Sequence, residues 1–508
     1  MALLNLDPRV GLFFAVVAIA FLLIEARISP KITRNGAALR NPPNTLPLVG
    51  NGIQFLQPRQ RLFAWFAKCE RLFGYETLHI SVPSLPPGVI ISDPRNLDFV
   101  LRNEGVFEKG SFFTERSWDL FGHGIINVDG ELWRLQRKAG LRFLAAPTLK
   151  ALTNEALPRY LDEAVAALAR KAGGSRRVDV QAVVHEVTTQ LMGRMAYNMD
   201  MHTDDAFTVA FEHASGVTAE RFQNPLWFLT EVVTGAPLRR SLATVKDYGR
   251  RIVASAVADR AAGDKVARSD TPGSLIQSLL DSIGDEALVA DAALNYLSAG
   301  RDTVAQALTW TLYLLMGHPE VLSTLRQSIS DLRVESGSGV LDPEHLTPTK
   351  LPYALAVFYE SLRLYPPVPF EIKQAHEATT LPDGTALPRG AIVVWCAWAM
   401  NRSRDTWGPD ADGFRPERWL TADGSGVTQR SAAEFPVFNG GPRICLGKRM
   451  AELVAVQTMV RLVDGFDFMP AYQGERVSKS SLTLPMEGGL PVYVRCRDTG
   501  EMTRSGMK

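Results

Sequence analysis

The longest stretches of regular hydrophobic patterning in this chain have the period of a helix. Four segments show apolar spacing or residue propensities compatible with an α-helix: residues 149–171, 183–197, 241–260 and 285–316. Strand-like apolar runs are shorter, and three stand out: GVIIS at 88–92, AIVVWC at 391–396 and LPVYVRC at 490–496. The pattern predicts a mostly α-helical protein with small β-sheets.

The body of the chain reads as one large unit. Its 508 residues would suffice for several ordinary domains. No flexible linker interrupts the pattern between residue 52 and about residue 468, and AGDKVARSDTPGS at 262–274 merely joins two helical segments. No internal repeat of solenoid or propeller period occurs. We therefore expect a single large domain over residues 52–508.

The N-terminus begins with an uncharged apolar run, VGLFFAVVAIAFLLI at 10–24. The run is short for a membrane span, and a cleaved signal peptide has an apolar region of similar length. Basic residues follow it, however, and these would keep the rest of the chain in the cytosol: Arg27, Lys31, Arg34 and Arg40. We expect an uncleaved membrane anchor at 1–28, and a basic, proline-rich hinge at 29–51 that is extended and stiff.

Composition narrows the function classes. Apolar residues make up 46% of the chain and charged residues 21%, which indicates a folded protein with a large core. The net charge of +1 with both signs dispersed argues against a nucleic-acid partner. The cysteines lie far apart, with no CxxC and no HxxxH, so neither a disulfide framework nor a zinc site is expected: Cys69, Cys396, Cys445 and Cys496.

One cysteine has an unusual setting, the stretch FPVFNGGPRICLGKRMAEL at 435–453. Cys445 follows a glycine- and proline-bearing loop and precedes a helix-forming run. A thiolate is favoured at a helix N-terminus, where the dipole and peptide N–H groups stabilise its charge. We expect Gly440, Gly441 and Gly447 to let the backbone curl closely around the sulfur.

The loop fits the pattern F-x-x-G-x-R-x-C-x-G at Phe438, Gly441, Arg443, Cys445 and Gly447. The alternative is an ordinary loop with an incidental cysteine, which five matched positions in ten residues make a poor explanation. Here the chain resembles the cytochrome P450 family. The resemblance implies the cytochrome P450 fold and haem b, with the Cys445 thiolate on the iron and with Phe438, Arg443 and Gly447 beside the haem.

A second motif of that family is E-x-x-R, found here at Glu360 and Arg363. Spacing i,i+3 puts both side chains on one helix face. The same pattern recurs at 131–134 and 501–504, so the context LRLYPPVP and the position before the cysteine loop single out Glu360. The third member resembles Arg418 in FRPERW. The resemblance implies that this triad is structural.

The longest helical pattern contains LSAGRDTVAQALTW at 297–310. Gly300 lowers helix propensity, and Thr303 can bond back to an earlier carbonyl. A solvent-facing polar patch is the alternative. Together with the cysteine motif, the segment indicates a local opening over the haem, where Thr303 holds water and Asp302 relays protons.

The fourth motif is GELWRLQRK at 130–138. Trp133 and Arg137 lie one helical turn apart and can offer an indole N–H and a guanidinium to a haem propionate. A solvated basic helix face is the alternative for this motif alone. Four motifs in the family's order strengthen the resemblance.

The resemblance implies a monooxygenase that inserts one oxygen atom from O2 into an unreactive C–H bond. The chain has no GxGxxG that opens a βαβ unit. A separate NADPH–cytochrome P450 reductase carrying FAD and FMN, on the same endoplasmic reticulum membrane, is therefore expected. Its docking face would be basic: Arg134, Lys138, Lys448 and Arg449.

Residues 107–138 resemble the plant and fungal clan that hydroxylates fatty acids near the chain end. Animal ω-hydroxylases often carry a haem-linked glutamate where this chain has Ala299, so no such ester is expected. Residues 207–237, at the expected entrance, could dip into lipid. The expected pocket residues are Phe112, Phe113, Trp118, Tyr296, Ala299, Val368 and Phe370.

Two other functions stay open within the same fold. One is an oxidase of polyketide or terpenoid biosynthesis, and the other is a hydroperoxide isomerase or dehydratase that needs no NADPH. The Asp302–Thr303 pair argues for a monooxygenase over the latter.

Overall fold

The computed structural model describes residues 31–83, 85–174, 176–261, 274–337 and 341–497. Helices dominate this part of the chain. In chain order they are α1 (Gly52–Phe55), α2 (Arg59–Phe73), α3 (Pro94–Arg102), α4 (Gly110–Phe121), α5 (Gly130–Phe143), α6 (Ala146–Ala151), α7 (Leu157–Ala169), α8 (Val180–Tyr197), α9 (Ala206–Gln223), α10 (Trp227–Thr234), α11 (Ala236–Ala261), α12 (Leu275–Ile283), α13 (Glu286–Gly317), α14 (Pro319–Ser336), α15 (Pro352–Leu364), α16 (Ala397–Met400), α17 (Arg404–Trp407) and α18 (Lys448–Gly465).

All four predicted helices are confirmed. The segment predicted at 149–171 consists of α6 and α7 joined by a π-helical turn, Leu152–Ala156. Pro158 follows this turn, and because proline has no N–H it removes one bond of the regular α-helical ladder. The structure thus replaces one long helix with two that share a continuous path.

Helix α13 lies at the centre of the core. Asp285 caps it, since its carboxylate accepts from the N–H groups of Ala287 at 2.8 Å and Leu288 at 3.1 Å. Most of its side chains are buried, including Trp310, which is 1% exposed. The helix packs against α8, α11, α12, α15 and α18. A helix surrounded in this way is apolar on nearly all sides.

The strands form three small sheets in the described residues, and the three predicted strand runs are confirmed. The strands are β1 (Thr33–Arg34), β2 (Ala37–Ala38), β3 (Leu78–Ile80), β4 (Gly88–Ile90), β5 (Phe107–Glu108), β6 (Val178–Asp179), β7 (Phe370–Ala375), β8 (Thr379–Thr380), β9 (Thr385–Leu387), β10 (Ile392–Cys396), β11 (Phe466–Pro470) and β12 (Pro491–Cys496). Their orders are β2-β1-β9-β8, β3-β4-β10-β7-β5 and β11-β12-β6. In the largest sheet β10 runs parallel to β4 and antiparallel to β7.

Part of the segment predicted as a hinge belongs to the folded body. Strand β1 pairs with β9, with Thr33 opposite Ala386. The flanking Ile32 and Leu39 are buried at 5% and 8% exposure. Further along, the chain turns rather than running extended, and the indole N–H of Trp65 donates to the carbonyl of Pro43 at 2.9 Å.

Two expectations fall outside the described residues. One is the anchor at 1–28, and the other is nearly all of the loop at 262–274. Within the described ranges, no helix combines the length and the apolar character needed to cross a membrane.

Candidate functional site

Cys445 lies in a short loop between a 3-10 turn and α18. Its backbone N–H donates to the carbonyl of Phe438 at 2.7 Å, which closes the loop. Gly447 is the N-cap of α18, and its backbone N–H group acts to lower the pKa of the Cys445 thiol. Cys445 is exposed, whereas Cys69 and Cys396 are buried. The arrangement presents an accessible sulfur at a helix N-terminus.

The surroundings shift the pKa of the Cys445 thiol in two directions. Although Cys445 is exposed, neighbouring protein atoms remove much of the water around its sulfur, and this desolvation raises the pKa of the thiol. The Gly447 N–H and the charges of Arg137 and Lys448 act in the opposite direction without cancelling the rise. A metal cation at the sulfur would favour the thiolate decisively.

The glycines before Cys445 serve a contact with α3. Gly441 has φ +57°, and a Cβ added there would lie 2.0 Å from the backbone oxygen of Leu101. A Cβ on Gly440 would come within 2.9 Å of the Leu101 Cδ1 atom. A Cβ on Gly447 would have no protein atom within 4 Å. Gly440 and Gly441 thus also make room for α3 and, at Gly440, for Ala432, a role that the sequence analysis did not foresee.

Helix α5 brings Trp133 and Arg137 to the same loop. The guanidinium of Arg137 lies 5.5 Å from the centroid of the Trp133 ring. Its Nη1 donates to the carbonyl of Ile444 at 3.0 Å, next to Cys445. The two side chains thus share one face, as their spacing predicts, and that face meets the cysteine loop.

Arg443 is held by two acidic residues that the sequence did not single out. Its Nε donates to Glu104 and its Nη2 to Asp129, both at 2.6 Å, and its Nη1 donates to the carbonyl of Val128 at 3.0 Å. Its guanidinium lies 4.3 Å from the centroid of the Trp133 ring. Asp129 directly precedes the GELW motif, but no local signal marks Glu104. The contacts fix Arg443 between the cysteine loop and α5.

Thr303 makes the backward hydrogen bond that its position suggested. Its hydroxyl donates to the carbonyl of Ala299 at 2.7 Å. Ala299 is exposed and Thr303 half-buried, four residues apart on one face of a helix that is otherwise largely buried. Gly300 has a packing reason, since a Cβ there would lie 2.5 Å from the sulfur of Met192 in α8.

Asp302 forms a buried ion pair with its neighbour Arg301. The Arg301 Nε donates to Asp302 at 2.7 Å, and the two side chains are 0% and 9% exposed. Arg301 also donates to the Thr208 hydroxyl at 3.1 Å. A solvent-facing polar patch is therefore excluded for this pair. Arg301 was not among the expected site residues, although it stands inside the AGRDT motif.

The structure brings Glu360, Arg363 and Arg418 together. The two oxygens of Glu360 accept from Arg363 Nε and Nη2 at 2.8 Å, and one also accepts from Arg418 Nε at 2.8 Å. The indole N–H of Trp419, which the motif did not include, donates to Glu360 at 2.8 Å. Glu360 and Arg363 are both 0% exposed. The network joins α15 to the 3-10 segment Pro416–Trp419.

A cavity of about 160 Å³ lies between the largest sheet, α2, α4 and α9. Three of the expected pocket residues, Phe112, Phe113 and Phe370, line it. Trp118 instead lies at the surface, 45% exposed. The Tyr296 hydroxyl donates to the carbonyl of Gln136 at 2.8 Å. Four expected pocket residues are therefore not part of the lining of this cavity: Trp118, Tyr296, Ala299 and Val368.

The residues present fit the haem that the resemblance implies. Cys445 is exposed, and two residues later a Cβ at Gly447 would have no protein atom within 4 Å, so this part of the loop leaves room for a bulky group. Trp133 and Arg137 meet the same loop. A soft thiolate is a suitable axial ligand for haem iron.

Comparisons with known proteins agree with this donor set. The sequence model of the family described as cytochrome P450 matches residues 41–489. Cytochrome P450 94B1 of Arabidopsis thaliana is 30% identical over 499 residues, which cover 94% of this chain and 96% of that protein. Cytochrome P450 86B1 of the same plant is 32% identical over 441 residues, covering 81% and 78%.

A fungal protein is similar over a comparable length. Cytochrome P450 monooxygenase cyp1 of Mycosarcoma maydis is 29% identical over 501 residues, which cover 91% of this chain and 76% of that protein. The resemblance to plant and fungal proteins is thus confirmed. The chain belongs to the cytochrome P450 family and is a haem-thiolate monooxygenase, an oxidoreductase that uses O2 and a redox partner on a small-molecule substrate.

Proposed function

We propose that this protein hydroxylates a fatty acid or related aliphatic chain at or near its terminal carbon. The observation that carries the proposal is the cavity described above. Its lining is made mostly of aliphatic and aromatic side chains, among them Phe66, Phe112, Phe222 and Phe370. Such a surface favours a ligand that buries hydrocarbon rather than one with many polar groups.

In this proposal the Cys445 thiolate would hold the iron of haem b. The residues that would bind the rest of the group are Trp133, Arg137, Phe438, Arg443 and Gly447. When bound, the haem supplies the iron centre at which O2 is activated. Asp302 and Thr303 are the residues that we propose for proton delivery. Thr303 holds water on the exposed face of α13, and Asp302, beside Arg301, exchanges protons with that water.

The proposed electron donor is a separate NADPH–cytochrome P450 reductase that carries FAD and FMN. Three of the four basic residues expected at its docking face, Arg134, Lys138 and Arg449, are exposed, and Lys448 is partly exposed. They belong to α5 and α18, the two helices next to the cysteine loop. An acidic partner surface would be attracted to such a face.

The proposed location is the endoplasmic reticulum membrane, with residues 1–28 as the anchor and the catalytic domain in the cytosol. A second observation supports contact with lipid. Helix α10 has no buried residue, and large apolar side chains in and next to it are at least half exposed: Leu226, Phe228, Leu229, Val232 and Val233. Of the expected lipid-facing segment, residues 207–237, we propose that α10 is the part that contacts lipid, because Phe207 and Phe211 of α9 are buried at 1% and 2% exposure.

The test is a product analysis in microsomes that contain this protein and a reductase. Fatty acids of several lengths are supplied with NADPH, and a reduced-CO spectrum reports the folded haem protein. We expect hydroxy acids oxidised at or near the chain end, formed only with NADPH.

Two outcomes would contradict the proposal. A normal spectrum without such products would favour a specialised biosynthetic substrate, such as a polyketide or terpenoid. Turnover of fatty-acid hydroperoxides without NADPH would favour an isomerase or dehydratase.

A further inference from the structure

The apolar cavity contains one charged side chain among its described lining residues. Arg59, in the first turn of α2, stands there among Phe55, Leu62 and Phe66 of α1 and α2. The lining also contains three uncharged polar residues, Gln223 of α9 and the serines Ser480 and Ser481. An arginine in such a lining needs an explanation, because arginine is rarely buried without a partner.

Arg59 is only 8% exposed, and only part of its guanidinium is engaged. Its Nη1 donates to the carbonyl of Ser481 at 2.5 Å and to that of Lys479 at 3.2 Å. Its Nε is buried and has no hydrogen-bond partner among the described residues. The carbonyl contacts therefore fix the guanidinium through one nitrogen, and the edge formed by Nε and Nη2 is the one a planar acceptor can occupy.

The charge of Arg59 is not balanced within the part of the chain that the structure describes. No carboxylate there lies within ion-pair distance of it, whereas the buried Arg221, Arg301 and Arg363 each contact one. Burial lowers the pKa of Arg59 to about 9, so the side chain remains a cation at neutral pH. A buried cation without a counter-charge is unfavourable, and an anionic ligand would remove that cost.

We infer that Arg59 binds the carboxylate of the substrate, while the acyl chain lies along the apolar lining of the same cavity. This inference rests on the proposed fatty-acid hydroxylation. A carboxylate can accept two parallel N–H bonds from the Nε and Nη2 edge of a guanidinium. Ser480 and Ser481 belong to the same lining, and the Ser481 hydroxyl lies 3.0 Å from that of Ser215.

Fixing the acid end has a consequence for where the chain is oxidised. With the carboxylate held at Arg59, the length of the acyl chain decides which carbon reaches the reactive centre. A neutral ester of the same length lacks the charge that the Arg59 edge recognises. The acid and its ester should therefore differ in affinity although their apolar parts are the same.

The experiment compares dodecanoic acid with methyl dodecanoate on the full-length holoenzyme in lipid vesicles. Binding is measured from the change in haem absorption on titration, and products are measured with reductase and NADPH. The variants are Arg59→Met and Arg59→Lys. Arg61→Met is an exposed control on the same helix, and Arg116→Met is a buried control whose guanidinium lies 3.9 Å from the Phe112 ring centroid.

We expect Arg59→Met to weaken binding of the acid by about 10- to 100-fold while leaving the ester unchanged. Arg59→Lys keeps the positive charge but loses the two parallel N–H donors of the guanidinium. It should therefore weaken binding of the acid less than Arg59→Met does. Neither Arg61→Met nor Arg116→Met should separate acid from ester. The position of hydroxylation on the acid should become less uniform in Arg59→Met.

Equal losses for acid and ester in Arg59→Met would overturn the inference, and so would an acid-specific loss in Arg116→Met instead. If Arg59→Met does not fold, the wild type decides: an ester bound as tightly as the acid contradicts the inference. A wild type that binds and oxidises neither compound would instead contradict the proposed function itself.

Discussion

Glu360 shows how much of the architecture one buried side chain can hold. Its two oxygens accept from Arg363, Arg418, Trp419 and the backbone N–H of Arg415. Burial, the largest single effect, would raise its pKa, but the hydrogen bonds and charges of Arg363 and Arg418 outweigh it, so the pKa is lowered. The carboxylate is thus stabilised in its charged form at the centre of the protein.

We predict that Glu360→Gln lowers the free energy of unfolding by about 3–5 kcal/mol, because it leaves the buried Arg363 without a counter-charge and removes one of the two carboxylates that pair with Arg418, the other being Asp410. Glu131→Gln is a matched control. Glu131 and Arg134 have the same spacing, lie 3.4 Å apart and are 72% and 71% exposed, so the cost there should be about 0–1 kcal/mol. Urea unfolding of both variants measures the difference.

The same network has a pH signature. The pKa of Glu360 is lower in the folded than in the unfolded chain, so its stabilising contribution is present above the ordinary carboxyl value of 4.5 and is lost as pH falls through the folded value. The difference in unfolding free energy between wild type and Glu360→Gln should therefore be constant at neutral pH and should narrow only below about pH 4.5. A gap that stays constant there would show that ionisation of Glu360 does not contribute.

At this scale the sequence predicts side chains whose partners are near in the chain or belong to a motif. Glu360 with Arg363, and Thr303 with Ala299, are separated by one helical turn. The partners of Arg443 were not predictable, because Glu104 comes from a distant loop and carries no local signal. Arg59 was missed for the same reason, since only the folded chain shows that its surroundings are apolar.

Among elements, the contact between the cysteine loop and α3 leaves no room for a larger residue. Gly441 combines a positive φ with an approach to Leu101 that leaves no room for a Cβ. Both conditions require glycine. The position of Cys445 therefore depends on a helix that contributes no residue to the predicted haem site.

We predict that Gly441→Ala lowers stability by at least about 1–3 kcal/mol, the usual range for a strained backbone, and weakens retention of haem. Gly465→Ala is the control, since a Cβ there meets no atom within 4 Å. Thermal unfolding and the reduced-CO spectrum measure the two effects. Equal behaviour of the two variants would mean that the loop can move away from α3.

The proposed contact of α10 with lipid can also be tested. A polarity-sensitive fluorophore on Val233→Cys should report an apolar environment when the full-length protein is in vesicles, with the signal of the labelled parent chain subtracted. Val334→Cys on α14 is the matched control, because Val334 is 80% and Val233 85% exposed in the structure. The same emission at both positions would argue against insertion of α10 into lipid.

For the molecule as a whole, the small net charge of +1 conceals a local asymmetry beside the cysteine loop. We predict that Arg134→Glu with Lys138→Glu raises the reductase concentration needed for half-maximal rate, and that salt diminishes the difference. Arg170→Glu with Lys171→Glu, at exposed basic positions at the end of α7, serves as control. Kinetics unchanged at low salt would exclude this docking face.

The overall architecture could be predicted only in part. Long helices such as α11 and α13 repeat their apolar positions many times, so local pattern suffices to find them. Pairing of β1 with β9 joins two short strands that are about 350 residues apart in the chain, and the two paired residues of each strand carry no register signal of their own. The sequence therefore did not predict that residues 33–34 pair with β9.

That pairing also sets an order of events during synthesis. Residues Thr33 and Arg34 leave the ribosome early, but their partners Thr385 and Ala386 follow only about 350 residues later, on the order of tens of seconds. Cys445 emerges later still. Until β8 and β9 have emerged, the sheet β2-β1-β9-β8 lacks two of its four strands, and until Cys445 has emerged the proposed thiolate ligand is absent. We therefore expect stable haem binding only after most of the chain has been synthesised.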